Sequence, residues 1–574
     1  MTILILLALL GVSLALLYLG RGYLAWVIPG AGALLALALR GAIGWPTFNT
    51  VGLIFAAVAL LFGLPPLRRL FVGRIAMGAL SRALPGMSET ERVALEAGTV
   101  WWDAELFSGN PSWQRLLDLP SHSLTEEEQA FLDGPVEELC SMIDDWKARN
   151  RGDLPPEAWE FVKRHRFFGM IIPKEYGGLG FSALAHSQVV TKVSSRSVAA
   201  AVTVMVPNSL GPAELILHYG TDEQKRSYLP DLARGDEIPC FALTEPGAGS
   251  DAASMQSEGV VCKGTWEGEE VIGIRLNWNK RYITLVSVAT VLGLAFRLRD
   301  PDHLLGEADD LGITCALVPT DLTGVDAARR HDPLGVPFIN GPTTGRNVFV
   351  PIDSIIGGRE MAGKGWLMLM QCLASGRGIS LPALAGGAAQ LATRTTSAYA
   401  GVRQQFNVKI GAFEGIEERL ARIGGYTYMM NAARRMTAGA VDSGEKPAVI
   451  SAIVKAYMTE MMRTVINDAM DVQAGAAISR GPRNVLSGAY ESLPIGITVE
   501  GANILTRSLI IYGQGAMRCH PFLREQMEAI ADRDLKRFDR AFFRHMGFVF
   551  SNGARSLLLG LTGGALANPP VGGD

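Results

Sequence analysis

Phe241-Ala-Leu-Thr-Glu-Pro-Gly-Ala-Gly-Ser-Asp251 is the stretch on which the reading of this chain turns. A short apolar run passes into Pro-Gly-x-Gly-Ser. A strand therefore ends in a loop of little side-chain bulk that exposes successive backbone N–H groups and a hydroxyl. Such a loop suits a phosphate or the polar edge of a ring, and a bare glycine-rich turn fits the same letters. Immediately upstream, His218-Tyr-Gly-Thr-Asp-Glu-Gln-Lys-Arg-Ser-Tyr-Leu-Pro-Asp-Leu-Ala-Arg-Gly235 reads as a helix end, a turn capped by Thr221 and the start of a solvated helix.

Outward from that loop the chain changes character twice. Between 236 and 356, β-branched and apolar residues gather in short runs broken by Gly, Asn, Asp and Pro, such as Val271-Ile-Gly-Ile-Arg-Leu276 and Thr290-Val-Leu-Gly-Leu-Ala-Phe296. That pattern predicts an all-β insert. Helical periodicity flanks it, over 124–235 before and 357–548 after, with a Trp-containing connector over 81–123 and a Gly/Pro-rich tail over 549–574. The fold class is α+β and mainly α.

At 574 residues the chain exceeds one hydrophobic core. Charged residues make up 19%, below the roughly 25% of soluble domains, and the mean hydropathy is +0.20. The apolar excess sits at the start. None of the 56 acids precedes Glu89, and the bases before it are Arg21, Arg40, Arg68, Arg69, Arg74 and Arg82. Three uncharged stretches, 1–20, 22–39 and 41–67, are each near the roughly 20 residues needed to cross a bilayer, so residues 1–80 are read as a membrane segment of two or three spans. A cleaved signal peptide wants a basic region before its apolar core, and here the first charge is Arg21. The arginines after the last stretch place the remainder on the cytoplasmic side of an inner membrane, in contact with lipid. A net charge of −3 gives no field for nucleic acid. Six scattered cysteines with no CxxC pair argue for reduced thiols and no zinc site.

Four further segments stand in a fixed order with the two already quoted: Asn279-Lys-Arg-Tyr-Ile-Thr284, Ser375-Gly-Arg377, Tyr399-Ala-Gly-Val-Arg-Gln-Gln-Phe406 and Thr498-Val-Glu-Gly-Ala-Asn-Ile-Leu-Thr-Arg507. Together they resemble the acyl-CoA dehydrogenase family from about 124 to 545, closest in plan to its bacterial membrane-associated fatty acyl-CoA members. The resemblance implies a helical domain, a β-barrel-like middle domain and a C-terminal four-helix bundle with FAD between them. It implies oxidation of medium- or long-chain fatty acyl-CoA to trans-2-enoyl-CoA, the first step of β-oxidation. Glu500 would take the α-proton while the β-hydrogen leaves as hydride to flavin N5.

By the same mapping Leu243, Thr244, Tyr282, Ile283 and Thr284 lie along the flavin ring, and Gly249 and Ser250 lie near its phosphates. Arg403 reaches a neighbouring subunit's cofactor, and Phe406, Gly475 and Asn503 complete the cofactor set. Ser250, Arg377 and Gly501 face the substrate. A homodimer or higher oligomer follows, with an electron-transfer flavoprotein or another respiratory acceptor as partner. From the residues themselves, Glu500 sits among Ile495, Ile497, Val499, Ile504 and Leu505, surroundings that raise a carboxyl toward a useful base; a glutamate in a helix's first turn is the alternative. Departures from the family's pattern are Ala502, Ile504, Asn407 and Ala474, the last replacing a glycine. Long-chain membrane members extend further, and that region is expected to be truncated or absent here. The rival readings are an acyl-CoA oxidase that passes electrons to O2 and a non-catalytic membrane-tethered relative.

Overall fold

In the computed structural model of the chain, residues 2–83, 89–209 and 211–567 are described, and they form two compact units. The first begins with three apolar helices, α1 (Thr2–Tyr18), α2 (Gly22–Leu39) and α3 (Trp45–Gly63). Neither α1 nor α3 has a buried residue, and Leu53 and Ile54 on α3 are 74% and 61% exposed. Helices α2 and α3, of 18 and 19 residues, are long and apolar enough to cross a membrane, while α1, at 17, is slightly shorter. The third apolar stretch, expected to run to 67, breaks at Leu64. That residue is extended, and Pro65 and Pro66, lacking N–H groups, can only open a new turn. A π-turn at Arg69–Gly73 follows, a feature with no sequence signature.

The second unit comprises 89–101 and 120–513. Its helix α4 (Ala183–Ser194) is buried along most of its length and capped by the Ser182 hydroxyl, which accepts from Ala185 N. The β-region has seven strands: β1 (Pro239–Ala242), β2 (Glu258–Trp266), β3 (Glu269–Thr284), β4 (Val291–Arg299), β5 (Asp310–Pro319), β6 (Val325–Asp326) and β7 (Asn340–Pro351). They run in the order β1-β4-β2-β3-β7-β6, with β5 also on β4. The first six residues of β4, Val291 to Phe296, are all buried because that strand has partners on both edges.

The long helices α5 (Gly365–Val402), α6 (Glu414–Asp442) and α7 (Ala448–Gln473) pack on one another, and α5 also packs on α4. At Gly387 the absence of a side chain permits this. A Cβ there would strike the Thr191 carbonyl and the Ser194 hydroxyl of α4. Helix α8 (Ser487–Thr498) leads into the loop that carries Glu500.

Helix α9 (Leu535–Leu561) runs through the boundary expected at 548 and belongs, with 514–574, to the first unit. Its Asp539 is wholly buried and takes both guanidinium arms of Arg68, at 3.0 and 2.7 Å, with Arg69 Nε at 3.6 Å. Arg68 also lies 4.3 Å over the Phe543 ring. Farther along, Arg555 Nε donates to the Tyr18 carbonyl at 3.0 Å. Both ends of the chain thus build one unit.

Candidate functional site

The loop after β1 is fixed from beneath by a buried ion pair. Lys280, on β3 and 0% exposed, places Nζ 2.7 Å from Glu245 Oε1 and 3.0 Å from the Leu243 carbonyl. The Glu245 carboxylate also accepts from Gln256 N and Ser257 N. Burial alone would raise this carboxyl, but those hydrogen bonds outweigh it and hold it below the ordinary range. Arg281 N donates to the Thr244 carbonyl at 3.0 Å, tying the loop to β3.

What the pair supports is open. Leu243 and Thr244 are half-buried, whereas Gly249 and Ser250 are exposed. A Cβ at Gly247 or Gly249 would meet nothing within 4 Å. Among the described residues the hydroxyls of Thr244 and Ser250 have no hydrogen-bond partner.

On β3 a bulge between Lys280 and Ile283 turns Tyr282 to φ +61° and leaves it 57% exposed. The Arg281 guanidinium lies 4.9 Å over its ring. Ile283, expected along a flavin, has its side chain in the core, and Thr284 Oγ1 accepts from Asn340 Nδ2. Arg403, Phe406 and Gly475 are exposed on other segments, with Phe406 and Asn407 forming the left-handed turn of a two-stranded hairpin.

Glu500 follows the end of α8, where Val499 is extended. It is therefore not in a helix's first turn. Glu500 and Gly501 adopt φ +55° and +88° in succession, a left-handed pair that costs a glutamate about 1 kcal/mol or more and persists only when its surroundings over-determine it. Two cations from different helices do so, the half-buried Arg377 and the buried Lys455. Arg377 Nε on α5 donates to the Glu500 carbonyl at 2.9 Å. Lys455 Nζ on α7 donates to Gly501 O at 2.7 Å, Ile497 O at 3.3 Å and Asn503 Oδ1 at 2.8 Å.

Glu500 as a residue is only half-buried, but its Oε2 is closed to solvent and has no hydrogen-bond partner. Burial pushes the carboxyl up to about 7 against the pull of Arg377 and Lys455. The apolar neighbours expected to cause this do not all do so, since Val499 and Ile504 are 39% and 76% exposed. Among the described residues the Glu500 N–H donates to nothing.

Two of the expected site residues have partners within the chain, and one further residue joins them. Arg377, read as a substrate contact, holds the Glu500 backbone; the side chain of Ser375 beside it lies outside the described residues. Asn503, read as a cofactor contact, is buried with its amide used internally: Nδ2 donates to Thr459 Oγ1 and Glu460 Oε1, and Oδ1 accepts from Lys455. Lys455 was missed. Its signal is a lysine set in the apolar stripe of α7 between Ala452, Ala456 and Thr459. On the same α5, Gly376 and Ile379 line a cavity of about 320 Å³ that reaches His186, Ser209, Tyr219 and Gln371.

Residues 125–236, 240–348 and 363–513 match the N-terminal, middle and C-terminal domains of acyl-CoA dehydrogenase. The chain belongs to the acyl-CoA dehydrogenase family. Residues 517–574 match the bacterial type of acyl-CoA dehydrogenase C-terminal region, so the stretch read from sequence as the bundle's end and a tail, beyond which no such region was expected, belongs to it.

Among curated relatives, a 3-(aryl)acrylate reductase from Clostridium sporogenes is 32% identical over 351 residues, 60% of this chain and 85% of that protein. The human mitochondrial very long-chain specific acyl-CoA dehydrogenase is 26% identical over 79% of this chain and 68% of its own length. Protein HemX from Proteus mirabilis is 59% identical over 104 residues, 18% of this chain and 61% of that protein, so the chain spans less than two thirds of it. Butyryl-CoA dehydrogenase from Megasphaera elsdenii shares the fold with a TM-score of 0.60 at 22% identity, over 69% of this chain and 99% of that one.

Acyl-CoA dehydrogenases are FAD-dependent oxidoreductases, and the loop after β1 fits such a group. It offers the open cradle at Gly247 and Gly249, two uncommitted hydroxyls at Thr244 and Ser250, and the exposed Tyr282 ring.

Proposed function

We propose that this protein oxidises medium- to long-chain fatty acyl-CoA to trans-2-enoyl-CoA, the first step of fatty acid β-oxidation, at a membrane. The observation that carries the reading is the dry, unpartnered Oε2 of Glu500 at the end of a doubly clamped loop. A carboxyl near 7 is half ionised at neutral pH and strong enough to take the proton α to a thioester. The uncommitted Glu500 N–H is suited to donate to the thioester oxygen, where charge builds as that proton leaves. The cavity beside Gly376 is read as the place of the acyl chain, one residue from Arg377. Thr244, Ser250, the backbone at Gly247 and Gly249, Tyr282 and Thr284 would hold FAD. When bound, FAD accepts the β-hydrogen as hydride.

An electron-transfer flavoprotein or another respiratory carrier is the proposed acceptor. The exposed Arg403 and Phe406 hairpin is read as facing a second copy of the chain, and α1 to α3 as the seat in lipid. The test is spectroscopic. Purified protein should be yellow and bleach when palmitoyl-CoA is added without oxygen, and Glu500→Gln should stay yellow and lose roughly 10² to 10⁴ in turnover. A colourless preparation that cannot be reconstituted with FAD, or an active Glu500→Gln, refutes the proposal.

A further inference from the structure

Lys455 is buried without a carboxylate in hydrogen-bond contact. A lysine at 0% exposure ordinarily has a salt-bridge partner, as Lys280 has Glu245. The Lys455 head instead spends its three N–H groups on two main-chain carbonyls and one side-chain amide, at Ile497, Gly501 and Asn503. These lie on both sides of Glu500, so one cation spans the loop from the last turn of α8 to the turn that follows it.

We infer that Lys455 is the positioning residue of this site, holding the left-handed turn at Glu500 and Gly501 in place and setting, with Arg377, positive charge beside the loop that carries the Glu500 carboxyl. The inference rests on the reading of Glu500 as the base.

The two cations divide the work. Arg377 fixes the carbonyl of Glu500 itself, and Lys455 fixes the residues before and after it. Asn503 relays the hold back to α7, because its Nδ2 donates to Ala456 O, Thr459 Oγ1 and Glu460 Oε1. The charged groups acting on Glu500 are Arg377 from α5 and Lys455 from α7, and those acting on Lys455 are Glu500, Arg377 and Glu460. Burial pulls the Lys455 ammonium down to about 8, so it remains mostly charged at pH 7. A hydrophobic residue in its place would leave the Ile497 carbonyl and Asn503 Oδ1 without this donor, Gly501 O keeping only the Thr506 hydroxyl, and would remove one of the two charges that oppose the desolvation of Glu500.

The test uses the detergent-solubilised holoenzyme. Infrared pH titration follows the carboxyl band that is missing from Glu500→Gln, which reports the ionisation of Glu500 independently of turnover. In Lys455→Met the midpoint should rise by about one pH unit, the smaller end of the effect of a close opposite charge. Turnover of palmitoyl-CoA should then fall by more than about fivefold at pH 7 and recover only in part by about pH 9, because the turn is no longer held. Lys455→Arg keeps the charge and should keep the wild-type midpoint. Lys455→Gln, which fills the space and still donates, is the second neutral variant should Lys455→Met not fold, and it must move the midpoint in the same direction.

An unmoved midpoint in either neutral variant, with or without lost turnover, overturns the inference and leaves Lys455 a packing residue. That outcome is distinct from an active Glu500→Gln, which would refute the reading of the base itself.

Discussion

Glu500→Gln should make the protein more stable, and the gain should depend on pH. The folded carboxyl is pushed from 4.5 up to about 7 by burial. At about 1.36 kcal/mol for each pH unit between the folded and unfolded values, the ionised form is disfavoured in the native state by about 3 kcal/mol. The sign follows from proton binding. Below pH 4.5 both states hold the proton and nothing is lost. Between 4.5 and about 7 the unfolded chain has released a proton that the folded chain retains, so stability falls as pH rises. Above about 7 the deficit is full and flat.

Glutamine has no proton to release and no such deficit. Urea unfolding of both detergent-solubilised proteins at pH 5 and pH 8.5, read by tryptophan fluorescence, gives the difference directly. The variant's advantage should grow from about 1 kcal/mol at pH 5 to about 3 kcal/mol at pH 8.5. Equal differences at the two pH values would mean that Glu500 ionises as it does in water, and the argument for a dry base would fail. A site that loses stability for the sake of a reactive group is a familiar trade between stability and activity.

Three other outcomes follow from buried charge and backbone strain. Lys280→Met should destabilise by about 3 to 5 kcal/mol, because it leaves the Glu245 carboxylate buried without its partner; it should also release FAD, as thermal unfolding and flavin content will report. Asp539→Leu should strand Arg68 inside the first unit at a similar cost of about 3 to 5 kcal/mol, seen as faster proteolysis of 514–567. Ala474→Gly should raise the thermal midpoint by the equivalent of about 1 kcal/mol, since Ala474 is held at φ +49°, a conformation that glycine adopts without strain.

The parts of the molecule set by local pattern were legible. Short β-branched runs gave the insert containing β1 to β7, and the apolar N-terminus gave α1 to α3 because a charge-free run of that length has few other uses. The loop at Thr244 and the turn at Glu500 stand out because glycines and a carboxylate in sequence constrain the backbone on their own. What fixes those loops was not legible. Lys280 and Lys455 act through carbonyls and a carboxylate brought to them by folding, and a lysine in a strand or helix ordinarily signals a solvated face. Asn503 looked available for a cofactor because its three internal acceptors lie on α7, more than forty residues earlier. The π-turns at 69–73 and 506–514 have no composition of their own. The continuity of α9 across 548 was hidden by the glycines at 547, 553 and 560, which suggest a fraying tail yet sit within a continuous helix.

The Arg68 and Asp539 pair joins residues 471 positions apart. At a ribosome speed of about 5 to 20 residues per second, roughly half a minute to a minute and a half separates the appearance of the two partners. Throughout that interval the arginine waits at the foot of an apolar hairpin with no carboxylate to receive it, while all of the second unit is being made. The first segment synthesised is thus among the last to be completed, and nascent chains halted before Asp539 should hold every residue of the candidate site and still lack a finished first unit.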